Sequence, residues 1–295
     1  MNSAGADTTA IIKAQNTQID KIRESSGHEM SSHAFVSLYL WQKEMDLSIS
    51  LQENFFTVRC GMYGDNAWFF PCGDEDEIYS FIKSHISDRT FSLCYLRECD
   101  VKWLQDKFPD EWEFIRDEAS DEYIGDISEY ISLEGSKFSG IRKKLRKIDK
   151  NYQVTAKVIC DENIDDALSV ISIWNSRLHN VGDNGLTDDE VSASALRDRQ
   201  FLDISGVILY LDSVPVSVFA GFPLNCDTLD VVVGKCIPNP PDGTIYYALR
   251  EYLKHCRGDY VYYNGEEDLG IEGIRYIKNK LRPVRKNQIW RAVSK

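Results

Sequence analysis

Val207-Ile208-Leu209-Tyr210-Leu211-Asp212-Ser213-Val214-Pro215-Val216-Ser217-Val218-Phe219 places two apolar, β-branched runs on either side of an Asp-Ser turn. Runs of this length and composition, joined by two turn-forming residues, specify a β-hairpin. Working outward, residues 228–234 form a third strand, and the loop Asn239-Pro240-Pro241-Asp242-Gly243-Thr244 opens a helix to about residue 256. A strand over 259–263, a helix over 271–281 and a closing strand over 287–293 complete the series. The same order occurs earlier in different letters. Strands at 47–51, 55–60 and 67–70 precede Gly73, then a helix (74–85), a strand (91–96), a helix (100–108) and a strand (112–116). Antiparallel meanders followed by a strand–helix crossover give an α/β (α+β) protein of two similar halves, each a mixed sheet flanked by helices.

The boundaries follow from composition. Residues 1–30 are polar and motif-free and read as a flexible N-terminal arm. Residues 31–135 form the first half, opening on a helix through Trp41 that Ser32 caps. Residues 136–295 hold a basic linker helix and the second half, where the chemistry is expected. Two helices, 161–179 and 187–201, separated by Asp183-Asn184-Gly185, lead that second half.

Charge excludes some functions and localises others. The net charge of −13 disfavours a broad phosphate-binding surface. Its distribution is uneven: residues 1–135 carry 26 acids and 11 bases, whereas 136–150 carry 7 bases and one acid, and 274–295 carry 8 bases and no acid. Two basic islands therefore sit in an acidic chain, each able to form a local anion site. No apolar run approaches the roughly 18 residues of a membrane span, and the start of the chain has no basic-then-apolar leader, so a cytoplasmic protein is expected. The eight cysteines lack zinc-ligand spacing and read as reduced thiols. The five histidines (His28, His33, His85, His179 and His255) show neither metal nor triad spacing, and no metal site is expected.

In the first island, Phe138, Ile141, Leu145 and Ile148 recur at spacings of three and four, so this stripe packs inward and Arg142, Lys143, Arg146, Lys147 and Lys150 radiate outward. The helix is either a solvated amphipathic element or an anion-facing one. In the second, Ile271, Ile274, Ile277 and Leu281 form the stripe and Arg275, Lys278 and Arg282 align beside it. Convergence of the two islands on one cleft would make a single electropositive channel. Between strand and helix runs Asn264-Gly265-Glu266-Glu267-Asp268-Leu269-Gly270-Ile271-Glu272-Gly273. One acid suffices to cap the helix; the surplus of acids next to a basic face suits a general base or a carboxylate that holds an ammonium group. The loop at 239–244 has one glycine and two prolines, too few backbone donors for a coenzyme A pyrophosphate.

Gly135-Ser136-Lys137-Phe138, Arg142-Lys143-Lys144-Leu145-Arg146-Lys147, Lys150-Asn151-Tyr152, Glu266 through Arg275 and Arg282-Pro283-Val284 resemble the family named after the C-terminal domain of phosphatidylglycerol lysyltransferase. Phe35-Val36-Ser37-Leu38-Tyr39-Leu40-Trp41 and Trp68-Phe69-Phe70-Pro71 extend the resemblance to nearly the whole chain from Ser31. It implies a tandem GNAT fold and aminoacyl transfer from a charged tRNA, here to a soluble amine, hydroxyl or peptide acceptor, with no resident cofactor. By position it implies that Lys137, Arg142, Lys143 and Arg146, with Arg275, Lys278 and Arg282, hold phosphates of the tRNA acceptor end. Asn264 and Glu266 join the substrate-binding set, and Glu267, Glu272 and Asp268 are the candidate catalytic acids. The alternatives are an acyl-coenzyme A N-acyltransferase and a non-catalytic tandem domain binding a ligand or protein.

Overall fold

The computed structural model describes residues 8–176, 188–256 and 260–295. His179, the Asp183-Asn184-Gly185 turn and the expected element starts at Thr187 and Asp259 lie outside them. The chain divides into two compact units, one comprising the chain up to Glu122 together with Asn287–Lys295, the other Tyr123–Lys286.

The first unit contains α1 (Asn16–Ser25), α2 (Phe35–Trp41), β1 (Leu47–Leu51), β2 (Phe55–Cys60), β3 (Ala67–Phe69), β4 (Cys72–Gly73), α3 (Glu75–His85), β5 (Ser92–Leu96), α4 (Glu98–Lys107) and β6 (Trp112–Arg116). β7 (Glu122–Asp126) leads into the second unit, with α5 (Ile127–Ser132), α6 (Ser139–Asn151), β8 (Val154–Val158), α7 (Ile164–Asn175), α8 (Asp189–Arg197), β9 (Ser205–Leu211), β10 (Val214–Pro223) and β11 (Thr228–Cys236). α9 (Thr244–His255), β12 (Tyr262–Asn264), α10 (Glu272–Lys280), β13 (Arg285–Asn287) and β14 (Trp290–Ser294) follow.

The duplicated order is real, and it hides an exchange. In the first unit the sheet runs β1-β2-β3-β5-β14-β6, with β4 beside β2; in the second it runs β13-β7-β12-β11-β10-β9-β8. Each has an antiparallel meander and one parallel step, β3 with β5 and β11 with β12. The strand after β6, namely β7, enters the second sheet, and the strand after β13, namely β14, enters the first. The closing strand assigned by sequence to the second half therefore belongs to the first unit, with Ala292 opposite Leu93 on one side and Phe114 on the other. The expected boundary at 135/136 falls inside the second unit.

Residues 8–30 of the N-terminal arm are folded. α1 buries Ile19, Ile22 and Arg23, and Thr9 bridges Ile49. Its polar composition conceals four buried apolar side chains, Ile11, Ile19, Ile22 and Met30, and Arg23 is satisfied by Asp20 and the carbonyl of His28. α2 starts at Phe35, because Ser31–His33 makes a separate 3-10 turn.

In the second unit the basic-helix stripe packs as expected: Phe138, Ile141, Leu145 and Ile148 are buried against Tyr246, Leu249, Tyr252 and Leu253 of α9 and Val207, Leu209 and Leu211 of β9. Each such side chain contributes about 1.5–3 kcal/mol of apolar burial. Alternate β9 residues face the other way, where the Tyr210 hydroxyl donates to Asp166 of α7 at 2.7 Å. Gly243 takes φ +106°, and a Cβ there would stand 2.7 Å from Cβ of Lys144, so the glycine permits α6 to close on the start of α9. The α10 stripe is shallower than its spacing suggests, since no residue of that helix is fully buried.

Candidate functional site

The Asn264–Gly273 segment is a strand-to-helix junction held by its own cations. Glu266 and Leu269 adopt positive φ (56° and 54°), a left-handed path that lets the chain turn sharply between β12 and α10. Asp268 is fully buried. It accepts from the Tyr123 hydroxyl at 2.5 Å, from Nε and Nη2 of Arg275 at 2.8 and 3.0 Å, and from the Gly270 amide at 2.9 Å. Burial makes the carboxyl a weaker acid, but these donors outweigh that and hold its pKa below the usual carboxylate range. Lys278 donates to the carbonyls of Gly265, at 2.5 Å, and Glu267. Its Nζ is turned inward, and desolvation lowers its basicity against the opposing pull of Glu267, Glu266, Asp268 and Asp230. Lys286 donates to the Tyr123 hydroxyl at 2.9 Å and stands 4.1 Å from the ring centroid.

Asp268, Arg275 and Lys278 thus hold the junction together through hydrogen bonds. Glu266 and Glu267 are half-buried and Glu272 is exposed in the first turn of α10. Asn264 is fully buried at the last position of β12, and its Oδ1 accepts from the Glu266 amide at 2.8 Å.

The basic islands do converge. Lys137 and Lys144 from the first, and Lys280 and Arg282 from the second, line one groove of about 240 Å³ with Tyr246 and Tyr276. Lys137 pairs with Glu129 at 2.6 Å and Lys144 with Asp242 at 2.7 Å. Among the described residues Lys280 and Arg282 make no ion pair, so the groove carries a surplus of two positive charges. Lys144 and Lys280 lie 5.5 and 5.1 Å from the Tyr246 and Tyr276 ring centroids, and Tyr276 is 60% exposed. Cations beside one accessible aromatic ring, Tyr276, suit a ligand with both phosphates and a planar base, while the buried Tyr246 forms the floor.

Only Lys137 and Arg282 of the expected phosphate set line this groove. Arg142 donates to the carbonyls of Leu133 and, at 2.6 Å, Gly135, closing the end of α5. Lys143 and Arg146 are exposed outside the lining. Lys144, Lys280, Tyr246 and Tyr276 were missed. Tyr276 and Lys280 are four apart on one helix, a spacing that sets them side by side and was available in the sequence. Nothing local marks Lys144 over Lys143; the distinguishing feature is Gly243, in another element, which lets the start of α9 approach Lys144.

The sequence matches the family model described as "Phosphatidylglycerol lysyltransferase, C-terminal" over residues 23–293. The chain belongs to that family. Its transferase character is acyltransferase-like, and its two mixed sheets are the two similar α/β halves expected from the repeated order. No curated protein matches the sequence. Among solved structures, a conserved protein of unknown function from Bacteroides thetaiotaomicron is similar across 99% of this chain and 100% of its own, with TM-score 0.87 and 23% identity. L-PGS from Bacillus licheniformis is similar at TM-score 0.64 and 15% identity, over 94% of this chain and 91% of its own. The C-terminal domain of a putative lysylphosphatidylglycerol synthetase from Agrobacterium fabrum has TM-score 0.67 and 15% identity, over 96% and 92%. Among the described residues no helix is long and apolar enough to cross a membrane, and no group of three or more acid, cysteine or histidine side chains could hold a metal ion.

Proposed function

We propose that this protein transfers an aminoacyl group from a charged tRNA to a soluble amine, hydroxyl or peptide acceptor. The observation that carries the reading is the convergence of both basic islands, with two tyrosines, on one groove. Four cations take backbone phosphates of the single-stranded acceptor end, and Tyr276 offers a stacking face for a terminal base. The aminoacyl ester is already activated, so the site has to align it with the acceptor rather than supply strong acid–base catalysis. Glu267, beside Asn264 on the junction, holds the ammonium of the aminoacyl group or of the acceptor. Family membership supports aminoacyl transfer as the chemistry. At the loop where coenzyme A would need backbone donors, Asp242 places a carboxylate and Pro240 and Pro241 supply no N–H, which favours tRNA over an acyl thioester.

The test is salt-dependent binding of aminoacyl-tRNA, followed by fluorescence anisotropy. With a slope of about −0.7 per phosphate contact on a single strand, four contacts weaken binding about 50-fold between 50 and 200 mM salt. The Lys280→Ala, Arg282→Ala double variant, with two contacts, should weaken only about 7-fold over that range. No binding at 50 mM salt, or calorimetric binding of coenzyme A in its place, overturns the reading.

A further inference from the structure

We propose that the Asn264 side-chain amide is the donor that stabilises the oxyanion formed on the transferred acyl group, a role that rests on the acyl-transfer reading above. The parallel ladder between β11 and β12 ends at the pair Asp230–Asn264. β11 continues to Cys236 with β10 as its strand neighbour, and on the β12 side no strand accompanies it among the described residues. Ligands of open α/β sheets sit beyond the carboxyl ends of strands where neighbours part, and Asn264 is the last residue of β12.

The orientation of the amide is determined by its partner. Oδ1 accepts from the Glu266 N–H at 2.8 Å, and reversing the amide would set two donors against each other. Nδ2 is therefore turned away from the junction, and it is buried with no hydrogen-bond partner among the described residues. A buried donor without an acceptor is costly, and such groups persist where they meet a ligand or serve chemistry. A fixed N–H in a site of low dielectric is the element that acyl transfer needs, since it is worth most when negative charge develops on the carbonyl oxygen.

The step balances without a further reagent. The acceptor nitrogen or oxygen lone pair forms a bond to the ester carbonyl carbon, and the carbonyl π pair moves to oxygen, where Nδ2–H receives it. As the carbonyl re-forms, the carbon–oxygen bond to the ribose breaks, and the ribose oxygen takes the proton that the acceptor atom gives up. Lys278, donating to the carbonyls of Gly265 and Glu267, keeps the residues after Asn264 in place and is not part of the donor set.

The experiment uses the whole protein, a pool of aminoacyl-tRNA and hydroxylamine as acceptor, measured above the uncatalysed rate. Asn264→Ser removes Nδ2 and leaves a shorter hydroxyl that can accept from the Glu266 amide while its own O–H falls one bond short of the Nδ2 position; Asn264→Ala, with no donor at all, is the second variant, and thermal melting confirms folding of each. The expected result is a loss in kcat of about 100- to 1000-fold with KM within about twofold. In parallel, binding of two aminoacyl-adenosine analogues is compared, one with a tetrahedral phosphonate and one with a planar amide at the reacting centre. The wild-type protein should prefer the phosphonate and the serine variant should lose that preference. Wild-type kcat in a folded variant, or equal loss of both analogues, overturns the oxyanion role alone. A wild-type protein that binds aminoacyl-tRNA and transfers nothing overturns the transfer reading with it.

Discussion

Replacing Asp268 by Asn separates architecture from chemistry at the junction. The carboxylate is fully buried and meets four donors, two of them from one guanidinium. An asparagine keeps one acceptor and turns an NH₂ toward a donor, so the charge-assisted contact with Arg275 and the acceptor of the Tyr123 hydroxyl cannot both survive. Hydrogen bonds to a charged group contribute about 1.5–3 kcal/mol each. Arg275 is 40% exposed along its side chain, which lets water recover part of its loss. The net cost is about 3 kcal/mol, and for a unit of this size about 2–4 °C of Tm accompanies each kcal/mol, giving a drop of roughly 6–12 °C. The assay is differential scanning calorimetry of Asp268→Asn beside Glu267→Gln, whose half-buried side chain should change Tm by no more than about 2 °C. Adding Arg275→Met to Asp268→Asn should restore part of the loss, because it removes the uncompensated cation. If Asp268→Asn melts with the wild type and only turnover falls, the carboxylate is a chemical group and its role in holding the junction together is refuted.

Two further perturbations follow from the structure. The rings of His28 and His33 lie 3.8 Å apart, tilted by 38°, in the first unit, both buried; burial lowers the basicity of each, and His33 is pushed down to about 3. The unfolded chain binds protons on these rings below about pH 6.5 while the folded one does not, so stability must fall as pH drops from about 6.5 toward 3, by up to about 1.4 kcal/mol per pH unit for each ring. Urea midpoints at pH 7 and pH 5 read this directly, and equal midpoints refute it. In the second unit a Cβ on Gly221 would lie 1.8 Å from the Asp230 carbonyl oxygen and 2.7 Å from the Tyr252 hydroxyl. Gly221→Ala should cost about 1–3 kcal/mol by equilibrium unfolding and shift Asp230 opposite Asn264; full stability would show that the β10 bulge has room to relax.

The hairpin at 207–219 and the stripe at 138–148 were legible because alternation and helical spacing report which face a residue buries. Alternation does not report which sheet a strand joins, and so Trp290–Ser294 looked like the close of the second half although it pairs with Leu96 and Arg116. The acidic run was located correctly, yet Asp268 became an anchor through Tyr123, a residue 145 positions away whose contribution leaves no local trace. The islands were evident from charge counts alone. Which of their cations face a common groove depended on helix phase and on Gly243, and there the family resemblance pointed to Arg142 and Lys143 where the groove is lined by Lys144.

The place of β14 has a consequence for how the chain is made. β5 and β6 do not pair with each other; each waits for β14 to lie between them. Synthesis at about 5–20 residues per second puts about 10–35 s between the emergence of β6 and that of β14. Throughout that interval the nascent first unit exposes two strand edges over an aromatic interior containing Phe91 and Trp112, the situation that invites pairing with another chain. The first sheet can therefore close only after the whole second unit has been made, and a chain truncated before residue 287 would leave both edges open.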